Sequence, residues 1–146
     1  MTTGEPADHA PADTALVAAA RNARAVAYAP YSHFAVGAAL LTDDGRVFTG
    51  CNVENASYGL TICAERVAVG SMVAAGGGRI VAVAVVAAPP AGAPVAPCGA
   101  CRQVLAEFGP QARVLLASPD PAGPWFSTTV ADLLPHTFSF NDPSLP

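Results

Sequence analysis

The chain is 146 residues long, which suits a single domain, and it carries a formal net charge of −4 at neutral pH. Charged residues make up only 12% of it, and its seven basic residues, all arginine, are scattered. Nucleic-acid binding needs clustered basic residues, so these values argue against a polynucleotide partner. No segment has the unbroken apolar length of a membrane span. The low charge content indicates a surface that is partly covered by copies of the same chain.

The two ends of the chain are expected to lie outside the folded domain. Residues 1–13 are rich in Ala, Pro, Asp and Thr, without the basic start and apolar run of a signal peptide. They are interpreted as a flexible leader, and residues 141–146 as a C-terminal tail. Residues 14–140 are expected to form one domain.

The predicted elements alternate between helix and strand. The first helix ends at Pro30, and Asp43-Asp44-Gly45 is a hairpin turn signal between two strands. Gly76-Gly77-Gly78 ends the second helix. In chain order, the elements are a helix at 14–29, strands at 34–42 and 46–54, a helix at 62–75, a strand at 80–87, a helix at 98–108, strands at 113–117 and 125–128, and a short helix that a capping box at 129–132 begins.

This order predicts an α/β fold, a three-layer α/β/α sandwich around a mixed five-stranded sheet. Helical crossovers make the later strands parallel, whereas the first hairpin is antiparallel. The helices at 62–75 and 98–108 begin where strands end, at one edge of the sheet. Ligands favour that edge in open α/β folds.

Cysteine spacing gives the most informative motif, Cys63-Ala64-Glu65 followed by Pro97-Cys98-Gly99-Ala100-Cys101. Three cysteines can hold one zinc ion and leave its fourth position open, as in a catalytic site. Cys98 and Cys101 lie on one face of a helical turn. Residues two apart point about 200° from each other around a helix. Cys63 and Glu65 therefore meet only at a helix N-terminus, whose dipole lowers thiol pKa values.

Other interpretations of the cysteines stay open at this point. A Cys-x-x-Cys pair is also common in zinc ribbons and redox sites. A ribbon needs a second pair, and a redox pair leaves Cys63 and Glu65 unexplained. Cys51 lies in an apolar run and is interpreted as a small buried residue, although it could close a four-cysteine site. The catalytic interpretation is favoured because both motifs occur together.

Two arginines next to the cysteine motifs can offset the negative charge of a three-thiolate zinc site. Three thiolates and one Zn²⁺ leave an excess negative charge, which weakens zinc as a Lewis acid. Arg66 directly follows Glu65 and can donate several hydrogen bonds to sulfur. Arg102, next to Cys101, is the second candidate.

Further motifs extend the pattern along the chain. In order they are Tyr31-Ser32-His33-Phe34, Gly50-Cys51-Asn52-Val53-Glu54-Asn55-Ala56-Ser57-Tyr58, Cys63-Ala64-Glu65-Arg66, Pro97-Cys98-Gly99-Ala100-Cys101-Arg102-Gln103-Val104 and Leu133-Leu134-Pro135. Together these motifs resemble the small homotetrameric cytidine deaminases, and the resemblance covers residues 14–138.

This resemblance implies a cytoplasmic homotetramer with one Zn²⁺ per chain and a free pyrimidine nucleoside as substrate. It implies hydrolytic deamination of cytidine and 2′-deoxycytidine to uridine and 2′-deoxyuridine, with release of ammonia, in pyrimidine salvage. Zinc-bound thiolates also suit a reducing compartment. The alternatives are a deaminase of another cytosine compound and a non-catalytic zinc-binding domain.

Glu65 is the expected catalytic residue, with Cys63, Cys98 and Cys101 as zinc ligands. Zinc lowers the pKa of a bound water towards neutrality. Glu65 is expected to take a proton from the water that attacks C4, and to deliver protons to N3 and to the departing amine. Without the cysteines, Glu65 would be an ordinary carboxylate at a helix N-terminus.

Substrate contacts are expected from residues on both sides of the zinc motif. Asn52 and Glu54 lie on one face of the predicted strand, can bind hydroxyls, and match the family's ribose contacts. The resemblance also implies that the Ala64 N–H holds the base. It places Phe34 and Phe138 around the nucleoside, although either could be a core residue. Three more assignments complete the set: Tyr58 as a lining residue that can act across subunits, Asn55 as a loop residue, and His9, His33 and His136 as surface or loop residues.

Overall fold

The computed structural model describes residues 2–4, 10–88 and 93–140. Its helices and strands follow the predicted order, with one additional strand near the N-terminus. They are β1 (Thr2–Gly4), α1 (Pro11–Arg24), β2 (Val36–Thr42), β3 (Val47–Cys51), α2 (Ala64–Ala74), β4 (Ile80–Ala87), α3 (Gly99–Phe108), β5 (Arg113–Ala117), β6 (Trp125–Thr129) and α4 (Val130–Leu133), with a 3₁₀ turn at Tyr58–Leu60.

The strands form one mixed sheet in the order β1-β6-β5-β4-β2-β3. The predicted α/β fold with a mixed five-stranded sheet is confirmed, and β1 adds a short sixth strand at its edge. The prediction that all later strands are parallel is wrong for β6. Among the strands of the described sheet, β4 and β5 are the one parallel pair, whereas β5 and β6 are antiparallel. The connection between β5 and β6 is a short loop, and a parallel pair needs a longer crossover.

Alternating side chains of β4 build the core on both faces of the sheet. Val83 and Val85 belong to the cluster that packs under α2 and α3. Ala82, Ala84 and Val86 belong to the cluster beneath α1. Helices therefore cover both faces, as the sandwich prediction requires.

The N-terminal region differs from the predicted leader in both of its described parts. Thr2–Gly4 pairs with β6, and α1 begins at Pro11 rather than at residue 14. Proline is favoured in the first turn of a helix because its missing N–H would have no partner there. Asp13 is buried in that turn and accepts hydrogen bonds of 2.6 and 2.8 Å from Arg113. This ion pair fastens α1 to the start of β5 and raises the pKa of Arg113.

The first helix and the third strand are shorter at their C-terminal ends than predicted. Backbone hydrogen bonds between Tyr28 and residues 52–54 replace the predicted ends. The Tyr28 N–H donates to Asn52 O at 3.0 Å, and the Glu54 N–H donates to Tyr28 O at 2.8 Å. Val53 also bridges to Ile62. The helix therefore ends at residue 24 rather than 29, and the strand ends at residue 51 rather than 54.

Some sequence predictions fall on parts of the chain about which the structure gives little. His9 and the predicted tail at 141–146 lie outside the described residues. Within the described ranges, no helix has the length and apolar character needed to cross a bilayer.

Candidate active site

Two helix N-termini meet at one edge of the sheet. Cys63 and Cys98 are the N-cap residues of α2 and α3, and both have extended backbone conformations. A Cβ at Gly50 would collide with the Ala64 carbonyl oxygen, so the glycine lets β3 pack closely against the start of α2. The helices are predicted to begin at residues 62 and 98, and they begin at Ala64 and Gly99 instead. Each cysteine therefore lies immediately before the first residue of its helix.

The sulfurs of Cys63, Cys98 and Cys101 all lie within 4.8 Å of one another. The Sγ atoms of Cys63 and Cys98 are 3.9 Å apart. Thiolate sulfur is a preferred zinc ligand, and three such ligands leave one tetrahedral position open. Cys51 does not belong to this cluster, since its Sγ lies 3.8 Å from the Val26 carbonyl oxygen.

Glu65 lies beside the sulfurs with only 4% of its surface exposed. Its Oε2 is 3.6 Å from Cys101 Sγ. Burial raises the pKa of Glu65. Burial and the nearby Glu65 charge also raise the pKa of the Cys101 thiol. Burial and the Glu65 charge therefore oppose ionisation of the Cys101 thiol, and a divalent cation would supply the positive charge that this donor set needs.

Cys98 differs from Cys101 in its electrostatic surroundings. Burial acts to raise the pKa of the Cys98 thiol, but hydrogen bonds from Cys101 and Cys63 outweigh this effect, and the pKa is lowered. Cys101 is deeper and lies next to the Glu65 carboxylate, so the pKa values of the two thiols shift in opposite directions. That helix N-termini lower the cysteine pKa values stays a prediction.

Arg66 is the arginine that faces the sulfurs. Its Nη2 lies 3.6 Å from Cys63 Sγ and 3.5 Å from the Thr61 carbonyl oxygen, and the Cys63 contact raises the pKa of Arg66. Its Nε is buried and has no hydrogen-bond partner among the described residues. Arg102, the second candidate for offsetting the charge, instead binds the carbonyl oxygens of Pro97 and Leu133.

A cavity of about 250 Å³ opens above this cluster. Cys63, Cys98 and Glu65 contribute to its lining, together with the predicted residues Phe34 and Ala64. A second space of about 350 Å³ adjoins it, and the two spaces share part of their walls. Together they form one groove suited to a small molecule. Sequence reasoning assigned no site role to several of its lining residues, among them Ser32, Thr61 and Val95.

Asn52 lines the cavity, but most of its side chain is already engaged. Its Oδ1 accepts a 2.9 Å hydrogen bond from the Val36 N–H, and its Nδ2 donates at 2.8 Å to the Phe34 carbonyl oxygen. Asn52 is 8% exposed. An amide nitrogen carries two hydrogens, so one N–H is left for a ligand.

Glu54 also lines the cavity and is held by the preceding loop. Its Oε1 accepts hydrogen bonds from the backbone N–H groups of Tyr31 and Ser32, at 2.9 and 3.1 Å. Hydrogen bonding from Ser32 and from the Tyr31 amide lowers the pKa of Glu54. The lowered pKa favours the carboxylate form, which can accept hydrogen bonds from hydroxyl groups. Although the strand ends before these residues, Asn52 and Glu54 contribute to one cavity wall.

The remaining predicted residues lie further out. Tyr58 is 74% exposed, lines the outer space, and makes an edge contact with Tyr31 at a ring distance of 5.7 Å. Phe138 is 70% exposed and does not line either space in the described part of the chain. His33 and His136 are exposed loop residues with positive φ angles.

Comparison with known proteins assigns the family. Residues 11–117 match the family model described as the cytidine and deoxycytidylate deaminase zinc-binding region. The chain belongs to this deaminase family. It shares 50% identity over 123 residues with the cytidine deaminase of Mycobacterium tuberculosis (strain CDC 1551 / Oshkosh), covering 84% of this chain and 86% of the relative. The predicted family resemblance is confirmed.

Solved structures from cytidine deaminases have the same fold. The cytidine deaminase from Burkholderia pseudomallei is 54% identical, covers 85% of this chain and 97% of its own, and gives a TM-score of 0.78. The Mycobacterium tuberculosis structure gives 50% identity, 86% and 96% coverage, and a TM-score of 0.70. The zinc-binding region of the family contains the three-cysteine cluster, and zinc is the metal cofactor.

Proposed function

We propose that the chain is a zinc-dependent hydrolase that deaminates cytidine and 2′-deoxycytidine to the corresponding uridines and serves pyrimidine salvage. The observation that carries this proposal is the buried Glu65 carboxylate, which lies 3.6 Å from a cysteine sulfur at the wall of a small cavity. The relatives at about 50% identity are named cytidine deaminases. Cysteines that form no disulfide support a cytoplasmic location.

Glu65 is the proton carrier in this proposal. Zinc held by Cys63, Cys98 and Cys101 supplies a Lewis acid that makes water nucleophilic near neutral pH. Glu65 accepts a proton from the attacking water and delivers it to N3 as the C4–O bond forms. It then moves the second water proton to the exocyclic amine, the C4–N bond breaks, and ammonia leaves. Its raised pKa suits a group that must both accept and donate a proton.

The other residues of the site hold the substrate and balance charge. Arg66 offsets the thiolate charge through Cys63. The Ala64 N–H lies in the first turn of α2, where it has no helical partner, and it can donate to the base. Glu54 and the free N–H of Asn52 bind the ribose hydroxyls. Phe34 lines the base pocket.

Substrate choice is the direct test of the proposal. Purified protein is expected to release ammonia from cytidine and 2′-deoxycytidine, measured by the change in absorbance, and to act poorly on free cytosine, CMP and adenosine. Glu54 is anionic, and no basic side chain is among the described residues that line the cavity, so a phosphate would be repelled. Efficient turnover of CMP would contradict the substrate assignment.

Removal of the Glu54 carboxylate, the proposed acceptor for the ribose hydroxyls, should lower the turnover of cytidine more than the turnover of free cytosine. Glu54→Ala is expected to lower kcat/KM for cytidine by about tenfold or more, because remote contacts orient the reacting ring. The slow reaction of free cytosine should change little, since cytosine has no ribose. Glu107→Ala, which removes an exposed carboxylate from α3, is the matched control. An equal loss for cytidine and cytosine would indicate loop damage rather than lost ribose binding.

Exposed apolar residues in and next to the chain segments that line the groove support the proposal of a homotetramer. Val53 bridges to Tyr28 and Ile62, and the rings of Tyr31 and Tyr58, which line the outer space, are in contact. Exposed apolar patches of this kind mark protein interfaces. We therefore propose that a second copy covers the mouth and that Phe138 of one subunit reaches the groove of another. The large exposed residues of these segments are Val26, Tyr28, Tyr31, Val53, Tyr58, Leu60 and Ile62.

Subunit mixing tests whether Phe138 acts across subunits. A base–aromatic stack is worth roughly 1–3 kcal/mol, so Phe138→Ala alone should lower kcat/KM about 5- to 150-fold. Mixed assemblies of Phe138→Ala and Glu65→Gln chains should be more active than either parent, because an intact Glu65 then meets an intact Phe138 from its neighbour. Self-mixed parents are the control. No gain after exchange confirmed by native mass spectrometry would contradict action in trans, as would a fully active monomer by light scattering.

A further inference from the structure

Arg102 joins the zinc-ligand loop to the C-terminal helix. It follows Cys101 in α3, and its Nε donates a 2.7 Å hydrogen bond to the carbonyl oxygen of Pro97, the buried residue before Cys98. Its Nη1 donates at 2.9 Å to the carbonyl oxygen of Leu133, the last residue of α4. The Arg102 guanidinium therefore holds two segments together, which are the Pro97–Cys98 peptide and the C-terminal end of α4.

Gln103 holds the chain beyond that helix. Its Nε2 donates a 3.0 Å hydrogen bond to the backbone carbonyl oxygen of Phe138. The bond uses a main-chain atom, so it leaves the Phe138 ring exposed, in an edge contact with the Phe140 ring at a centroid distance of 5.6 Å. Between the contacts of Arg102 and Gln103, the chain turns at His136, whose φ is 59°, and Thr137 Oγ1 donates at 2.7 Å to Leu134 O.

These contacts attach both ends of residues 133–138 to the helix that begins with two zinc ligands. We propose that Arg102 and Gln103 are positioning residues, which present Phe138 at a fixed distance from the ligand loop of their own subunit. The inference rests on the proposed role of Phe138 in substrate binding. Neither residue touches the substrate, and each acts through a backbone carbonyl. A planar guanidinium can bind two separate carbonyls at once, which a lysine ammonium on a flexible stem does less well.

A double-mutant cycle between Gln103 and Phe138 tests the inference. Gln103→Met keeps the length of the side chain and removes the donor. It should lower kcat/KM for cytidine about fivefold, mainly through KM, since a hydrogen bond contributes on the order of 1 kcal/mol. In the Phe138→Ala background the same change should have almost no effect, because the ring that Gln103 presents is gone. Gln111→Met, at an exposed position, is the matched control.

The outcomes separate this inference from the function on which it rests. If Phe138→Ala leaves kcat/KM unchanged, the proposed role of Phe138 is wrong and the inference falls with it. If Phe138→Ala is damaging but Gln103→Met has no effect, or its effect simply adds to that of Phe138→Ala, the positioning role is overturned while the role of Phe138 survives.

Arg102 gives a second readout that does not depend on activity. Arg102→Met should speed hydrogen exchange at residues 133–138 and the release of zinc to a chelator, because one side chain holds both segments. Arg102→Lys should restore part of each effect. If residues 133–138 exchange as in the unmodified protein in both Arg102→Met and Gln103→Met, the two side chains do not hold the segment and the inference is wrong.

Discussion

Glu65→Gln is expected to reduce turnover of cytidine by at least about 10²- to 10⁴-fold, the range that general acid–base catalysis supplies. Glutamine has nearly the same shape, but its amide cannot accept a proton from water and pass it to N3 or to the amine. Zinc should stay near one ion per chain, because Glu65 lies beside the three sulfurs without belonging to their cluster. Activity is measured by absorbance and zinc by elemental analysis.

The control for this change is Glu107→Gln, which makes the same substitution on an exposed face of α3 and should leave activity intact. An unchanged melting temperature in Glu65→Gln would show that the buried amide is tolerated. Retention of most of the activity would mean that another group moves the protons, and the role proposed for Glu65 would be wrong. Loss of zinc together with activity would make Glu65 part of the metal site.

Each of the two zinc motifs could be predicted from sequence because its own geometry is local, whereas the approach of Cys63 to Cys98, 35 residues apart, depends on the fold. Residues three apart on one helical turn share a face, which fixes Cys98 relative to Cys101. Cys63 and Glu65 lie two residues apart, so only a helix N-terminus can bring them together. Chain direction across the sheet is a different kind of information. It depends on the connection between strands, and the short loop at residues 118–124 gave β6 the opposite direction to the predicted one.

Side-chain partners distant in sequence could not be predicted in the same way. Asn52 has the donor and acceptor groups of a ribose ligand, yet the Phe34 carbonyl and the Val36 N–H already occupy most of them. Arg102 is adjacent to a cysteine in sequence, but a helical step turns it towards Pro97 and Leu133. Sequence specifies which groups a residue carries, whereas the fold decides which of them remain free.

The four cysteines provide the second large test, because three of them cluster and one does not. Cys63→Ala, Cys98→Ala and Cys101→Ala should each lose stoichiometric zinc and detectable turnover. Removal of one thiolate leaves two protein ligands, fewer than the three of a catalytic zinc site. The Cys101→Ala variant should lose zinc even though it removes the repulsion between the Cys101 thiolate and the Glu65 carboxylate. Zinc per chain and activity are measured on the same samples.

Cys51→Ala is the matched control, since its sulfur lies 3.8 Å from the Val26 carbonyl oxygen and outside the cluster. It should keep both zinc and activity. Loss of one zinc ion per chain in this variant would indicate a closed four-cysteine site, which has no open position for water and would contradict hydrolysis at this metal. Zinc retained by all three cluster variants would instead show that the ion is bound elsewhere. The proposed chemistry requires zinc, an open position and Glu65 in one place, and only loss confined to the three clustered cysteines agrees with that arrangement.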